Sequence, residues 1–164
     1  MTVISTTKDS ENLMLTIVAE FDATPERVWS VWEDPRKLER WWGPPTYPAT
    51  FTRHDFVVGG QSRYFMTGPA GNTSNGWWQM EVIDRPNRIE FANGFAGDDG
   101  EPMPDMVPAT GFAIFEATAD GTRMTAITQF LDLSQMEMMI GMGMAEGMAQ
   151  AIGQIDALLA SASV

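Results

Sequence analysis

Residues 134–160 read Ser-Gln-Met-Glu-Met-Met-Ile-Gly-Met-Gly-Met-Ala-Glu-Gly-Met-Ala-Gln-Ala-Ile-Gly-Gln-Ile-Asp-Ala-Leu-Leu-Ala. Stepped at about 100° per residue, Ile140, Met144, Met148, Ala151, Ile155, Leu158 and Leu159 share one stripe, while Glu146, Gln150, Gln154 and Asp156 lie away from it. This is an amphipathic helix with one face against a core. Running from about Gln135 to Ala160, it spans roughly 40 Å, enough to cross a sheet. Ser134 and Glu137 match the capping box, with Leu133 and Met138 placed as its hydrophobic staple, and the cap accounts for Glu137. Gly141, Gly143, Gly147 and Gly153 each cost ~1 kcal/mol relative to alanine inside a helix, so something must compensate. Close approach to the sheet and space for a bound molecule both qualify. Met136, Met138, Met139, Met142, Met144 and Met148 exceed the needs of one stripe, and flexible thioethers suit irregular cores or adaptable apolar surfaces.

Upstream, Leu13, Leu15, Ile17, Ala19 and Phe21 alternate as in a half-buried strand. Thr24-Pro25-Glu26 then opens a short helix with Val28, Val31 and Trp32 on its apolar face, ending near Asp34-Pro35. A second short helix, Arg36 to Trp41, stops at Trp42-Gly43-Pro44-Pro45. Six strand-like segments follow, at 49–58, 61–67, 77–84, 88–95, 110–119 and 122–131, separated by turns such as Gly59-Gly60 and Asp120-Gly121. Connections this short favour antiparallel neighbours. The exception is the loop from Ala96 to Ala109, whose Met103, Met106 and Val107 a fully solvated loop would not need. The chain therefore reads as one α+β domain over 1–164, with an antiparallel sheet of about six to seven strands, two short helices after strand one, a long C-terminal helix, and residues 1–11 as a flexible N-terminal segment.

Composition narrows the function. The 164 residues are 44% hydrophobic and carry a net charge of -12, which disfavours nucleic acid and anionic membranes as partners. No cysteine is present, so disulfides and thiolate metal sites are excluded. The first twelve residues lack an apolar signal region and no run of about 18 apolar residues occurs, so the expected location is the cytoplasm. One histidine and scattered carboxylates, including Asp98-Asp99-Gly100-Glu101 without calcium-loop spacing, predict no metal. No phosphate loop, dinucleotide fingerprint or Gly-x-Ser-x-Gly is present, and no cofactor is expected. His54, on a strand with Thr50, Thr52 and Phe56 at the same parity, is the one nitrogen base near neutral pKa. Trp29, Trp32, Trp41 and Trp42 cluster in the helix pair, while Trp77 and Trp78 point to opposite faces of one strand. Alternation groups Trp78 with Met80 and Val82, making Trp78 the inward ring, with Tyr64, Met66, Phe91 and Phe112 inward by the same reasoning.

The order of elements resembles the helix-grip arrangement of the START-like superfamily, a curved antiparallel sheet gripping a C-terminal helix. The residues are similar to one branch, the family named for the activator of the heat-shock protein 90 ATPase. The stretches that carry the resemblance are Phe21-Asp22-Ala23-Thr24-Pro25 with Val28-Trp29 and Trp32, Asp34-Pro35 leading to Trp41-Trp42-Gly43-Pro44, Gly59-Gly60, Gly121-Thr122, and Gly143-Met144 to Gly147. The chain departs from the branch around Gly59-Gly60, where Asp55-Phe56-Val57-Val58 lacks the usual basic residue and Ser62 replaces a frequent aromatic. The resemblance implies a container for lipids, sterols, polyketide-like or aromatic molecules, and in some branches cyclase, hydrolase or dehydratase chemistry.

The leading expectation is a small apolar or aromatic ligand held by Trp78, Met80, Tyr64, Met66, Phe91, Phe112, Ile140, Met144, Met148 and His54, with the Met103 to Val107 loop near the entrance. An alternative is a polyketide cyclase or hydrolase type of enzyme using His54 or Tyr64 for acid-base work in the same cavity. A third is protein interaction, through a chaperone partner or a homodimer.

Overall fold

The sheet starts with two strands joined by a tight turn, β1 (Val3–Asp9) and β2 (Met14–Phe21), in a computed structural model that describes residues 3–161. Leu15, Ile17, Ala19 and Phe21 of β2 are buried, as their alternation requires. β1 corrects the expectation of a flexible 1–11 segment and of six to seven strands. Ile4 to Lys8 are exposed and show no apolar pattern, yet the backbone pairs with β2 from Val3↔Ala19 to Asp9↔Met14. Hydrogen bonding holds this strand rather than burial, and polar side chains suit its place at the sheet edge.

From β2 the chain crosses through α1 (Pro25–Glu33) and α2 (Pro35–Leu38) to the opposite edge. There β3 (Ala49–His54), β4 (Gln61–Thr67), β5 (Thr73–Asp84), β6 (Arg88–Ala96), β7 (Ala109–Ala117) and β8 (Thr122–Gln129) form a meander. The order β1-β2-β8-β7-β6-β5-β4-β3 brings β8 back beside β2, and every pair is antiparallel. Thr24 Oγ1 caps α1 by accepting the Arg27 N–H, and Asp34 ends α1 and caps α2 by accepting the Arg36 N–H at 2.9 Å. α2 stops at Leu38 rather than Trp41, because Arg40 and Trp41 bond back three residues, to Lys37 and Leu38, and tighten the chain into a turn.

The C-terminal helical segment is interrupted twice, giving α3 (Leu133–Gly141), α4 (Met144–Gly153) and α5 (Ile155–Ser161). The first break falls at Gly143, whose φ of +91° lies in the left-handed region. The cap also differs from expectation. Asp132, not Ser134, is the N-cap, its Oδ1 accepting the Gln135 N–H at 2.8 Å, while Gln135 Oε1 accepts the Leu131 N–H at 2.7 Å. Asp132 and Gln135 have the same spacing as Ser134 and Glu137, and a carboxylate is the stronger acceptor for free N–H groups at a helix start. Glu137 is exposed, and Leu133 and Met138, at 47% and 44% exposure, form no staple. Asp132→Ala is expected to cost about 1 kcal/mol in urea denaturation, and Ser134→Ala close to nothing.

Two apolar clusters result. The larger joins Trp29 and Trp32 of α1 to Trp41, Trp78, Phe91, Phe115 and Met124, with Ile155, Leu158 and Leu159 sealing it. The smaller gathers Leu15, Phe130, Met136 and Ala145. No helix among the described residues is long and apolar enough to cross a membrane.

Candidate functional site

The Trp-Trp-Gly-Pro element is built around a close backbone approach. A Cβ on Gly43 would stand 2.0 Å from the Tyr47 carbonyl oxygen, so the turn admits only glycine there. Gln154, at the break between α4 and α5, donates its Nε2 to the carbonyls of Gly43 at 2.8 Å and Trp41 at 3.3 Å, tying the turn to the helix. Trp41 Nε1 donates to the Val31 carbonyl at 2.8 Å. The rings of Trp32 and Trp41 lie 4.8 Å apart, those of Trp42 and Trp78 also 4.8 Å, and Trp78 stacks on Phe91 at 4.4 Å. The indoles form a wall fixed by their mutual packing.

Between this wall, the sheet and the helix lies a cavity of about 290 Å³. Tyr64, Met66, Phe91, Gly111, Ala126 and Thr128 border it from the sheet, and Met139, Met144, Gly147, Met148 and Ala151 from the helix. Glycine shapes both sides. A Cβ on Gly111 would stand 2.6 Å from Phe91 Cζ, so its absence lets the Phe91 ring lie down across β7. A Cβ on Gly141, Gly143 or Gly147 would meet nothing within 4 Å. The helix therefore does not ride on the sheet at these glycines, and Gly143 and Gly147 border the open space instead.

Of the residues expected at a site, Tyr64, Met66, Phe91, Phe112, Met144 and Met148 border the cavity. Phe112 does so out of phase with the buried Gly111 and Ala113, and its ring holds the Arg88 guanidinium 5.5 Å away, which corrects the inward orientation expected for it. Trp78, Met80 and Ile140 lie outside the lining. Trp78 and Met80 are fully buried behind Phe91 and Trp42, and Ile140 packs on the cluster of Leu15 and Phe130. The sequence missed Gly111, Asn93 and Thr128, of which only the glycine inside a strand carried a signal, whereas Gly147 is among the helix glycines for which space for a bound molecule is one of two explanations.

His54 is a brace rather than a cavity group. Its Nε2 is 3.0 Å from the Trp32 carbonyl, which can only accept, so Nε2 carries the proton and Nδ1 accepts from the Ser62 hydroxyl at 2.7 Å. Ser62 is fully buried and supplies that hydroxyl. His54 does not border the cavity, and both of its ring nitrogens are engaged elsewhere. Burial pushes the His54 pKa below its ordinary 6.5, opposed by the Trp32 carbonyl and by the charges of Asp55, Asp34 and Glu33. The folded value lies below the unfolded one, so the contribution of the neutral ring is complete above pH 6.5 and drains as pH falls through the folded value. His54→Gln is expected to flatten that part of the pH profile of stability, read as the difference between wild-type and variant denaturation midpoints from pH 7.5 downward.

The loop after β6 closes over α3. Gln135 Nε2 donates to the Val107 carbonyl, and the Met103 N–H donates to the Phe95 carbonyl at 3.0 Å. A smaller depression of about 210 Å³ lies between this loop and α3, bordered by Met106, Val107 and Met138, and shares Asn93, Gly94, Phe95 and Met139 with the main cavity. The loop thus stands at an end of the cavity, although Met103 itself turns to solvent at 41% exposure.

An antiparallel sheet closed on a C-terminal helix with an apolar space between them defines the helix-grip, START-like class. A family model described as Activator of Hsp90 ATPase homolog 1-like protein matches residues 22–160, and the chain belongs to that family. The chain is similar to a protein from Arthrobacter aurescens of known solution structure, 51% identical, covering 99% of this chain and 94% of that one with a TM-score of 0.93. It is also similar to Ms6760 from Mycobacterium smegmatis, 40% identical over 97% of this chain and 98% of that one, TM-score 0.89. The AHSA1 protein from Silicibacter pomeroyi, 23% identical over 90% and 97% with a TM-score of 0.72, shares the fold. A search of curated proteins gave no match.

Proposed function

We propose that this protein binds one small, largely apolar or aromatic molecule in the cavity between the sheet and the C-terminal helix. The observation that carries the reading is the helix glycine at 147, which costs helix stability yet supports no close packing and borders open space. The volume of about 290 Å³ stands at the lower end of ligand sites, which run roughly 300–1,000 Å³, and fits a compact molecule. Its wall of fixed indoles and its flexible Met144 and Met148 combine a rigid side with an adaptable one.

Titration with the neutral probe N-phenyl-1-naphthylamine, followed by its emission, is expected to show saturable one-to-one binding. Gly147→Leu places a side chain in the open space, so it is expected to raise the unfolding midpoint and weaken probe binding by about tenfold or more. Probe binding that does not saturate, or that Gly147→Leu leaves intact, overturns the reading. Native mass spectrometry of the purified protein would identify a copurifying molecule directly.

A further inference from the structure

The cavity is apolar with one conspicuous exception. Tyr64 borders it, and the phenol lies across β5 because Gly76, its cross-strand partner, has no side chain: a Cβ there would stand 2.4 Å from Tyr64 Oη. The ring is held in this pose by stacking on Phe51 at 4.9 Å and by edge contacts with Trp42 at 6.1 Å and Trp78 at 6.3 Å. The Nε1 atoms of Trp42 and Trp78 are both buried with no bonded acceptor, and the polar atom they flank is the Tyr64 hydroxyl oxygen. With indole N–H groups, which are donors only, on either side of that oxygen, the phenol O–H finds no acceptor in them. No acceptor for it exists among the described residues. Of the other polar side chains on the lining, Asn93 Nδ2 donates to the Ala109 carbonyl at 3.4 Å and Thr128 Oγ1 to Met148 Sδ at 3.9 Å, so Tyr64 carries the lining hydroxyl that has no hydrogen bond among the described residues.

We propose, resting on the cavity reading above, that the ligand is an apolar molecule bearing a carbonyl-type oxygen, and that the Tyr64 hydroxyl donates to it. The chemistry is a matter of matching donors. A purely hydrocarbon ligand would strip water from the Tyr64 O–H and give nothing back, whereas a carbonyl satisfies it and is fixed at one point of an otherwise greasy surface. Burial also holds the phenol pKa above its ordinary value, so the group stays a neutral donor. Tyr64 thus acts as a binding and positioning residue.

The test uses two probes of one shape, 2-acetylnaphthalene and 2-ethylnaphthalene, measured by calorimetry or quenching of tryptophan emission. Wild-type protein is expected to bind the ketone about tenfold tighter than the hydrocarbon. Tyr64→Phe is expected to erase that preference while hydrocarbon affinity is retained or improves. A second readout needs no variant: the carbonyl stretch of the bound ketone is expected at lower wavenumber than in hexane. Equal binding of both probes to wild type, an unshifted carbonyl, or a preference that survives Tyr64→Phe overturns the assignment and leaves the cavity reading standing. If neither probe binds the folded wild type, the cavity reading falls and this inference falls with it.

Discussion

Trp78→Ala is expected to lower the free energy of unfolding by about 3–5 kcal/mol, the range for deleting a large buried aromatic. The ring is fully buried, stacks on Phe91 at 4.4 Å and meets Trp42 edge-on at 4.8 Å and Phe51 at 5.6 Å. Its loss removes transfer free energy and leaves a hole that neighbours locked in a mutual aromatic lattice cannot fill. The measurement is urea denaturation with the slope unchanged, so that the midpoint alone reports the loss. A cost below about 1 kcal/mol would mean that the wall relaxes and is softer than its packing implies. Since Phe91 and Trp42 separate Trp78 from the cavity, the variant should also admit a bulkier probe than the wild type does.

Gly43→Ala is expected to cost about 3 kcal/mol although it adds one methyl group. The added carbon would stand 2.0 Å from the Tyr47 carbonyl oxygen and 3.1 Å from the Ala49 nitrogen, both backbone atoms that cannot swing aside. Opening the turn would pull the Gly43 and Trp41 carbonyls off Gln154 and shift the start of β3. A conservative Gln154→Leu change removes the same two hydrogen bonds without the clash and should cost less, about 1–2 kcal/mol. If the two variants are equally destabilised, the clamp and not the close approach is what the turn depends on.

Elements whose side chains carry a burial pattern are legible in the order of amino acids alone. The alternation of Leu15, Ile17, Ala19 and Phe21, the Thr24-Pro25 start and the Asp34-Pro35 stop each report a local constraint. β1 escapes such reading because an edge strand with exposed side chains is defined by its partner's backbone, and nothing in Ser5-Thr6-Thr7-Lys8 records that partner. The helix cap lies two residues before its expected place because two acceptors precede residues at capping-box spacing and the sequence does not rank them. Among site residues, parity identifies which face Tyr64, Met66 and Phe91 share. It does not reveal depth, so Trp78 and Met80, on the correct face, lie behind the lining rather than in it. His54 is the hardest case, since the carbonyl it holds belongs to a residue more than twenty positions earlier in the chain.

The return of β8 to the side of β2 has a consequence for how the molecule is assembled in time. Phe21 pairs with Thr122 and Met14 with Gln129, so the apolar strand in between gains its inner neighbour only after most of the chain exists. Closing so long a loop is slow compared with forming a hairpin. β1 is the one partner available at once, next to β2 across a few residues of turn. A polar strand that adds little to the finished core thus keeps one edge of Leu15-Thr16-Ile17-Val18 occupied through the interval when an unpaired apolar strand is most prone to stick to another chain.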